Sequence, residues 1–237
     1  MQFARDFLFN LALSLVLLPQ AVAQEGTTPQ SPKAEQKAKP ELYQNFSALL
    51  KGFSKTKTLS AKFQEEKQIE FLVEPLSSSG VIYFDAPGER LSRHTEKPFP
   101  SILVIAKKWV GILEDSKWEE ADLDRQPVIM QIVSSFVMLL SGDEKGLEKV
   151  FKVVFTPETA AGNAWEIRLE PLVKPINKII KTITFHGKGV VVSGMELLEV
   201  SGDKTVTRFS SHVLDAAFTK KEMVRFFPTP ERKDDSQ

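Results

Sequence analysis

The sequence PVIMQIVSSFVMLL, from Pro127 to Leu140, decides what the rest of the fold must accommodate. No charged residue occurs between Arg125 and Asp143, and a proline suits the first position of a helix because its missing N–H has no partner there. Such a helix is roughly 20 Å long, shorter than a bilayer core of about 30 Å. Its few polar residues fall on one narrow stripe. They are Gln131, Ser134 and Ser135. We therefore expect a helix that covers an apolar surface of the protein or an apolar ligand, with a plain core helix as the simpler alternative.

Composition excludes several classes of function. The chain has 237 residues, of which 42% are apolar, and this is enough for one domain with a sizeable core. Its 31 basic and 31 acidic residues cancel, so nucleic-acid binding is not expected. Cysteine is absent, the three histidines are scattered, and no nucleophile, zinc-protease or phosphate-loop motif occurs. We expect no catalytic residue, no metal site and no cofactor, and hence not an enzyme.

The N-terminus has the pattern of a secretory signal peptide over residues 1–23. Arg5 precedes an apolar run from Phe7 to Leu18, and Ala21-Val22-Ala23 resembles a cleavage site. Residues 24–40 lack large apolar side chains and predict a disordered leader, and residues 231–237 predict a flexible tail. The predicted compartment is the periplasm, and an uncleaved anchor is the alternative.

Beyond the leader, the apolar spacing changes from helical to strand-like. Leu42 to Phe53 follows a helical spacing, and from Leu59 apolar residues alternate with polar ones. The alternating apolar face comprises Leu59, Ala61, Phe63, Ile69 and Phe71. Glu65 and Lys67 fall on the same face, and we expect them where the strand leaves the core. Further short strands are predicted over residues 81–84, 90–96, 102–106, 109–113, 151–155, 165–170, 179–185, 190–192, 195–201 and 205–213.

Short connections between these strands predict antiparallel neighbours. Residues 114–125 are interpreted as a charged link, and a short helix is predicted from Asp143 to Lys149. The predicted fold class is mainly β, a single antiparallel sheet curled into an incomplete barrel. An N-terminal helix precedes the sheet, and the mid-chain helix forms a lid over its apolar inner face.

The order of several motifs resembles the LolA family of periplasmic lipoprotein carriers. The motifs are Phe63-Gln64, Gly80 to Tyr83 followed by Ala86-Pro87-Gly88, Arg90-Leu91, Pro98, the strand pair 102–105 and 109–113, and the closing Phe226-Phe227-Pro228. The resemblance spans residues 41–230. It implies a monomeric carrier that shuttles lipoproteins, with their acyl chains in an apolar cavity, from an inner-membrane releasing transporter to an outer-membrane acceptor.

The sequence departs from the family pattern at two positions. Ala86 stands where the family has a basic residue that ties the lid to the sheet, and Arg93 stands where an aromatic residue is expected. The usual latch is therefore not predicted, and a different hydrophobe, such as a glycolipid or polyene lipid, is an alternative cargo. A periplasmic lipid-sensing or regulatory module is the other alternative.

Candidate acyl-binding residues come from the apolar strands and from the lid, and Leu91 is included because the resemblance implies that its position faces the cavity. They are Phe63, Ile69, Phe71, Ile82, Phe84, Leu91, Met130, Val133, Phe136, Val137 and Leu140. Alternating spacing assigns a residue to a face but does not show whether that face is exposed. A simple core role is therefore the alternative for each of them.

Overall fold

A computed structural model describes residues 43–106, 109–125, 127–157 and 164–230. Its helices are α1 (Phe46–Phe53), α2 (Pro127–Ser141), α3 (Glu144–Val150) and α4 (Lys220–Phe226). Its first six strands are β1 (Thr58–Gln68), β2 (Leu76–Asp85), β3 (Arg90–Lys97), β4 (Ser101–Ala106), β5 (Trp109–Glu114) and β6 (Lys117–Asp122). The other five are β7 (Phe151–Thr156), β8 (Trp165–Pro171), β9 (Ile180–Lys188), β10 (Val191–Glu199) and β11 (Lys204–Leu214). The predicted signal peptide, leader and tail lie outside the described residues.

All eleven strands form one antiparallel sheet that does not close. Its order is β6-β5-β4-β3-β2-β1-β11-β10-β9-β8-β7, so the first and last of these eleven strands pair at its centre. The outermost strands are β6 and β7, and α2 and α3 connect them. The predicted fold class, a single antiparallel sheet curled into an incomplete barrel with helices, is confirmed.

Strand β1 shows the alternation that organises the sheet. Ala61, Phe63, Glu65 and Lys67 are buried, whereas the residues between them are exposed. We call the side of the sheet that carries these four residues the inner face. The expectation that Glu65 and Lys67 lie where the strand leaves the core is wrong, because both are buried next to paired strands on either side.

Three other sequence predictions are corrected by the structure. Residues 117–122 form β6 rather than part of a charged link, and residues 191–199 form one strand where two were predicted. Strand β1 ends at Gln68, so Phe71 lies in the following loop and not on the apolar face. The sequence did not predict β6 because its charged side chains resemble a solvated link. Edge strands often carry such charges, which prevent pairing with a further strand.

The helices between the edge strands pack on the inner face. Ile132 and Leu139 of α2 are almost fully buried against strands β7 to β10, and α3 begins with the N-cap residue Asp143. None of the helices in the described ranges is long and apolar enough to cross a membrane. We call α2 the cap helix, because it covers the inner face between the two sheet edges.

A C-terminal helix that the sequence did not predict packs on the outer face. A capping box of Thr219 and Glu222 starts α4, and the Phe226 ring stacks on Tyr83 at 3.9 Å between centroids. The carbonyl oxygen of Phe226 accepts hydrogen bonds from the Ser92 hydroxyl and from Nε2 of His94, 2.9 Å away. Burial lowers the pKa of His94, which favours the neutral ring with its proton on Nε2.

Candidate functional site: the inner face beneath the cap helix

One half of the inner face is filled by the protein's own side chains. Trp165 at the start of β8 is fully buried, contacts the Phe53 ring of α1 edge-to-face at 5.7 Å and donates from Nε1 to the Gly189 carbonyl at 2.9 Å. Leu49 and Leu50 of α1 belong to the same cluster. We call this cluster the filled half. Its strand residues include Ile167, Leu169, Ile183, Phe185, Met195 and Leu197.

The other half carries a smaller apolar cluster on β4 and β5. It consists of Leu103, Ile105, Val110 and Ile112, with Leu91, Ala121 and Met130 packed against it. We call these residues the β3–β6 cluster. Met130 of the cap helix is the one described helical side chain in this cluster. The cap helix therefore contacts both halves, with Met130 on this side and Ile132 and Leu139 on the filled half.

A buried polar network separates the two halves. Arg93 of β3 binds Glu65 of β1 with two parallel hydrogen bonds, Nη1 to Oε2 at 3.0 Å and Nη2 to Oε1 at 2.9 Å. The Thr207 hydroxyl donates to the same carboxylate at 2.8 Å, and the Ser78 hydroxyl accepts from Arg93 at 3.0 Å. The guanidinium also lies 4.1 Å from the centroid of the Phe63 ring. We call this network the polar seam, and it ties β11, β1, β2 and β3 together.

A second ion pair extends this polar region along β1. Lys67 donates to Glu199 of β10 at 2.8 Å, and both side chains are largely buried. Bidentate, hydrogen-bonded pairs such as Arg93–Glu65 are the ones that offset the cost of removing charges from water. The inner face is therefore not uniformly apolar, and its centre carries paired charges.

The cap helix is attached to the sheet by Gln131. Its side-chain amide donates to the Lys174 carbonyl at 3.0 Å, and its side-chain carbonyl accepts from the Ile176 N–H at 3.0 Å. Both backbone groups belong to the connection between β8 and β9, where Ile176–Lys178 forms a 3₁₀ turn. Ala86, where the resemblance implied a basic latch residue, cannot form a charged tie. Gln131 provides a polar tie at a different place on the cap helix.

We expect Gln131→Ala to loosen the cap helix without unfolding the sheet. The change removes two hydrogen bonds and leaves the buried Ile176 N–H without that partner, a loss of about 1–3 kcal/mol. Hydrogen exchange of residues 127–141 should then accelerate, while exchange in β1 stays slow. Gln64→Ala, at an exposed position of β1, is the matched control. Unchanged exchange in the cap helix would contradict the latch role of Gln131.

The structure brings most of the predicted acyl-binding residues to the inner face. Phe63 and Phe84 are buried there, and Ile82 and Leu91 are half-buried across from Arg93 and Ile105 respectively. Met130, Phe136 and Leu140 are half-buried on the cap helix. Phe136 contacts Phe185 edge-to-face at 5.4 Å and so belongs with the filled half.

Three predicted residues do not join this surface as expected. Phe71 is 84% exposed in the loop after β1, and Ile69 lies just past the end of that strand. Val137 is 46% exposed on the cap helix. The side chain of Val133 lies outside the described residues. Placement of Phe71 on the apolar strand face is therefore wrong, because the chain turns two residues earlier.

Sequence reasoning missed the role of the polar residues. Glu65 and Arg93 were noticed as exceptions to the apolar pattern and the family pattern, yet not as partners of each other. Ser135 was assigned to a polar stripe, but it is fully buried and donates to the Ile132 carbonyl of its own helix. Two opposite charges on apolar strand faces were the signal that could have paired Glu65 with Arg93.

The described residues contain no cluster of three or more histidine or acidic side chains that could hold a metal ion. They present instead an antiparallel sheet that does not close, with an apolar helix across its inner face. The architecture defines a class of proteins with an incomplete barrel and a helical cap.

The family model described as outer membrane lipoprotein carrier protein LolA matches residues 54–223. The chain therefore belongs to the LolA family, as the sequence motifs predicted. No curated protein matches the chain.

Several solved structures are similar to this chain at low identity. The MucA/MucB complex of Pseudomonas aeruginosa matches at 15% identity and a TM-score of 0.45, covering 75% of this chain and 60% of that one. The lipoprotein LppX of Mycobacterium tuberculosis matches at 8% identity and 0.42, covering 73% and 97%. The LolA superfamily protein NE2245 of Nitrosomonas europaea matches at 8% identity and 0.39, covering 73% and 97%. At such scores these likenesses carry no argument about function.

Proposed function

We propose that this protein carries acyl chains through the periplasm beneath its cap helix, as a shuttle for lipoproteins between the inner and outer membranes. The observation that supports this most is the uncharged cap helix, which lies in the connection between the two edge strands and packs on apolar side chains of both halves. The family to which the chain belongs is described as a lipoprotein carrier.

The physics of release explains why the cap should move. Burying an acyl chain yields about 0.8 kcal/mol per methylene, or roughly 12 kcal/mol for a chain of about 16 carbons. A rigid empty cavity would retain such a chain. A cap that must leave the same surface lowers the net affinity by the free energy of its own packing. Gln131 adds a modest polar contribution to that packing.

The β3–β6 cluster is the part of the inner face that we assign to the cargo. The filled half already contains side chains of α1 and of the cap helix, so an acyl chain there would have to displace core residues such as Leu49 and Leu139. In the β3–β6 cluster, Met130 is the one described helical side chain that covers Leu91 and its neighbours. Displacement of Met130 therefore exposes them. The flexible methionine side chain suits contact with chains of varied shape.

Native mass spectrometry of protein purified from its source cell tests this function. We expect bound lipid or lipoprotein, and displacement of a fluorescent fatty-acyl probe by the extracted cargo. Absence of both bound lipid and probe binding would overturn the proposal. The mass of the cargo separates a lipoprotein from a glycolipid or polyene lipid. Cross-linking then tests for the releasing transporter and outer-membrane acceptor that a shuttle requires.

The filled half favours a second candidate, a periplasmic lipid-sensing or regulatory module. A concave surface already occupied by α1 and the cap helix leaves less room for cargo than an empty cavity would. This candidate predicts a stable complex with one protein partner. A native mass spectrum showing that complex without lipid would support it over the carrier.

A further inference from the structure

Six large apolar side chains are exposed in loops at one end of the incomplete barrel. Phe71 is 84% exposed and Val73 fully exposed in the loop that joins β1 to β2. Each of these loops adjoins the end of a strand. Because the strands are antiparallel, all of these strand ends lie at the same end of the sheet, the one where β1 ends at Gln68. The six residues are Phe71, Leu72, Val73, Phe99, Leu172 and Val200. We call them the apolar rim.

Hydrogen bonds join three of these loops into one surface. The Glu70 N–H donates to the Asp203 carboxylate at 3.1 Å, which places the β1–β2 loop beside the β10–β11 hairpin. The Val200 N–H of that hairpin donates to the Ile179 carbonyl at 2.8 Å, which joins it to the β8–β9 connection. Phe71, Val200 and Leu172 therefore project from neighbouring segments.

A run of three exposed apolar residues at a loop tip is costly in water and indicates a surface that is covered during function. The neighbouring segment from Leu172 to Lys181 contains three exposed lysines and no acidic residue. They are Lys174, Lys178 and Lys181. Glu70 and Glu74 flank the apolar tip, so positive charge is concentrated beside the tip and not at it.

We propose that the apolar rim inserts shallowly into the surface of a lipid bilayer that contains anionic phospholipid. Apolar side chains at this depth are stabilised at the boundary between headgroups and acyl chains, and nearby lysines add electrostatic attraction to an anionic surface. The inference goes beyond cargo binding, because a carrier could exchange cargo through protein contacts alone. The loops at this end of the barrel would then be the part of the protein that contacts the membrane.

Co-sedimentation with vesicles of phosphatidylcholine and phosphatidylglycerol tests this inference. We expect the wild-type protein to bind, and the triple variant Phe71→Ser, Leu72→Ser, Val73→Ser to bind at least about tenfold more weakly. Lys174→Gln with Lys178→Gln and Lys181→Gln should remove the preference for vesicles that contain phosphatidylglycerol. The control is Val213→Ser, at a half-exposed position near the opposite end of β11.

The fluorescent acyl probe in solution separates this inference from the carrier function. The triple variant should bind the probe like the wild-type protein while losing vesicle binding. Wild-type protein that binds the probe but no vesicles would overturn the rim proposal and leave the carrier intact. A concentration-dependent dimer that the triple variant abolishes, without vesicle binding, would also overturn it, because the rim would then cover a second copy of the chain.

Discussion

We expect Glu65→Ala to lower the free energy of unfolding by about 3–5 kcal/mol, because it leaves the Arg93 guanidinium buried without its carboxylate partner. Glu65 accepts three close hydrogen bonds, two from Arg93 and one from Thr207, and its side chain is 3% exposed. These contacts join β11, β1 and β3 near the centre of the sheet, and the Ser78 hydroxyl of β2 accepts a further hydrogen bond from Arg93. Denaturant unfolding followed by circular dichroism measures the change.

Glu66→Ala provides the matched control for the polar seam. Glu66 is the next residue on β1, its side chain is half-exposed on the other face, and it lies 3.8 Å from Arg208. Exposed pairs contribute about 0–1 kcal/mol, so little change is expected. The double variant Glu65→Leu, Arg93→Met should recover much of the lost stability, because it removes both charges together. A single-variant cost below about 1 kcal/mol would contradict burial of the pair.

We expect Leu91→Asp to weaken binding of the acyl probe by about a hundredfold or more. Leu91 is half-buried on β3 and packs against the β3–β6 cluster, where we place the cargo. An aspartate of similar shape would have to lose its hydration against an acyl chain, and that desolvation opposes binding directly. Arg93, two residues further along β3, is already paired with Glu65.

Two further variants distinguish loss of binding from loss of folding. Val213→Asp places the same charge at a half-exposed position of β11, opposite Ser60 of β1. This variant should leave probe binding unchanged. Leu91→Asn, uncharged and of similar shape, should weaken binding less than Leu91→Asp does. Equal binding by wild-type protein and a folded Leu91→Asp variant would show that the cargo lies elsewhere.

The overall fold could be predicted from the sequence because its strands alternate and its connections are short. The PVIMQIVSSFVMLL segment predicted a helix from Pro127, and the structure has α2 from Pro127 to Ser141. Strand β6 was missed because Lys117, Glu119 and Glu120 suit a solvated link as well as an edge strand. Helix α4 was missed because its stability comes from contacts with Tyr83 and Ser92, which are far away in the sequence.

The candidate site was harder to predict because it depends on which surfaces become covered. Spacing placed Phe63 on an apolar face, and the family resemblance pointed to Leu91. Neither could show that α1 fills the opposite half of the barrel around Trp165. Pairing of Glu65 with Arg93 requires the register of three strands, which a single sequence does not specify. The position of Gln131 on the helix was evident, whereas its backbone partners in the β8–β9 connection were not.

Methionine methyl NMR with a spin-labelled fatty acid tests most directly whether acyl chains bind beneath the cap helix. Met130 lies on the cap helix against the β3–β6 cluster, and Met223 lies in α4, which packs on the outer face of the sheet. We expect the label to broaden the Met130 methyl signal strongly and to leave the Met223 signal sharp. An unaffected Met130 signal at saturating fatty acid, or equal broadening of both signals, would contradict cargo binding beneath the cap.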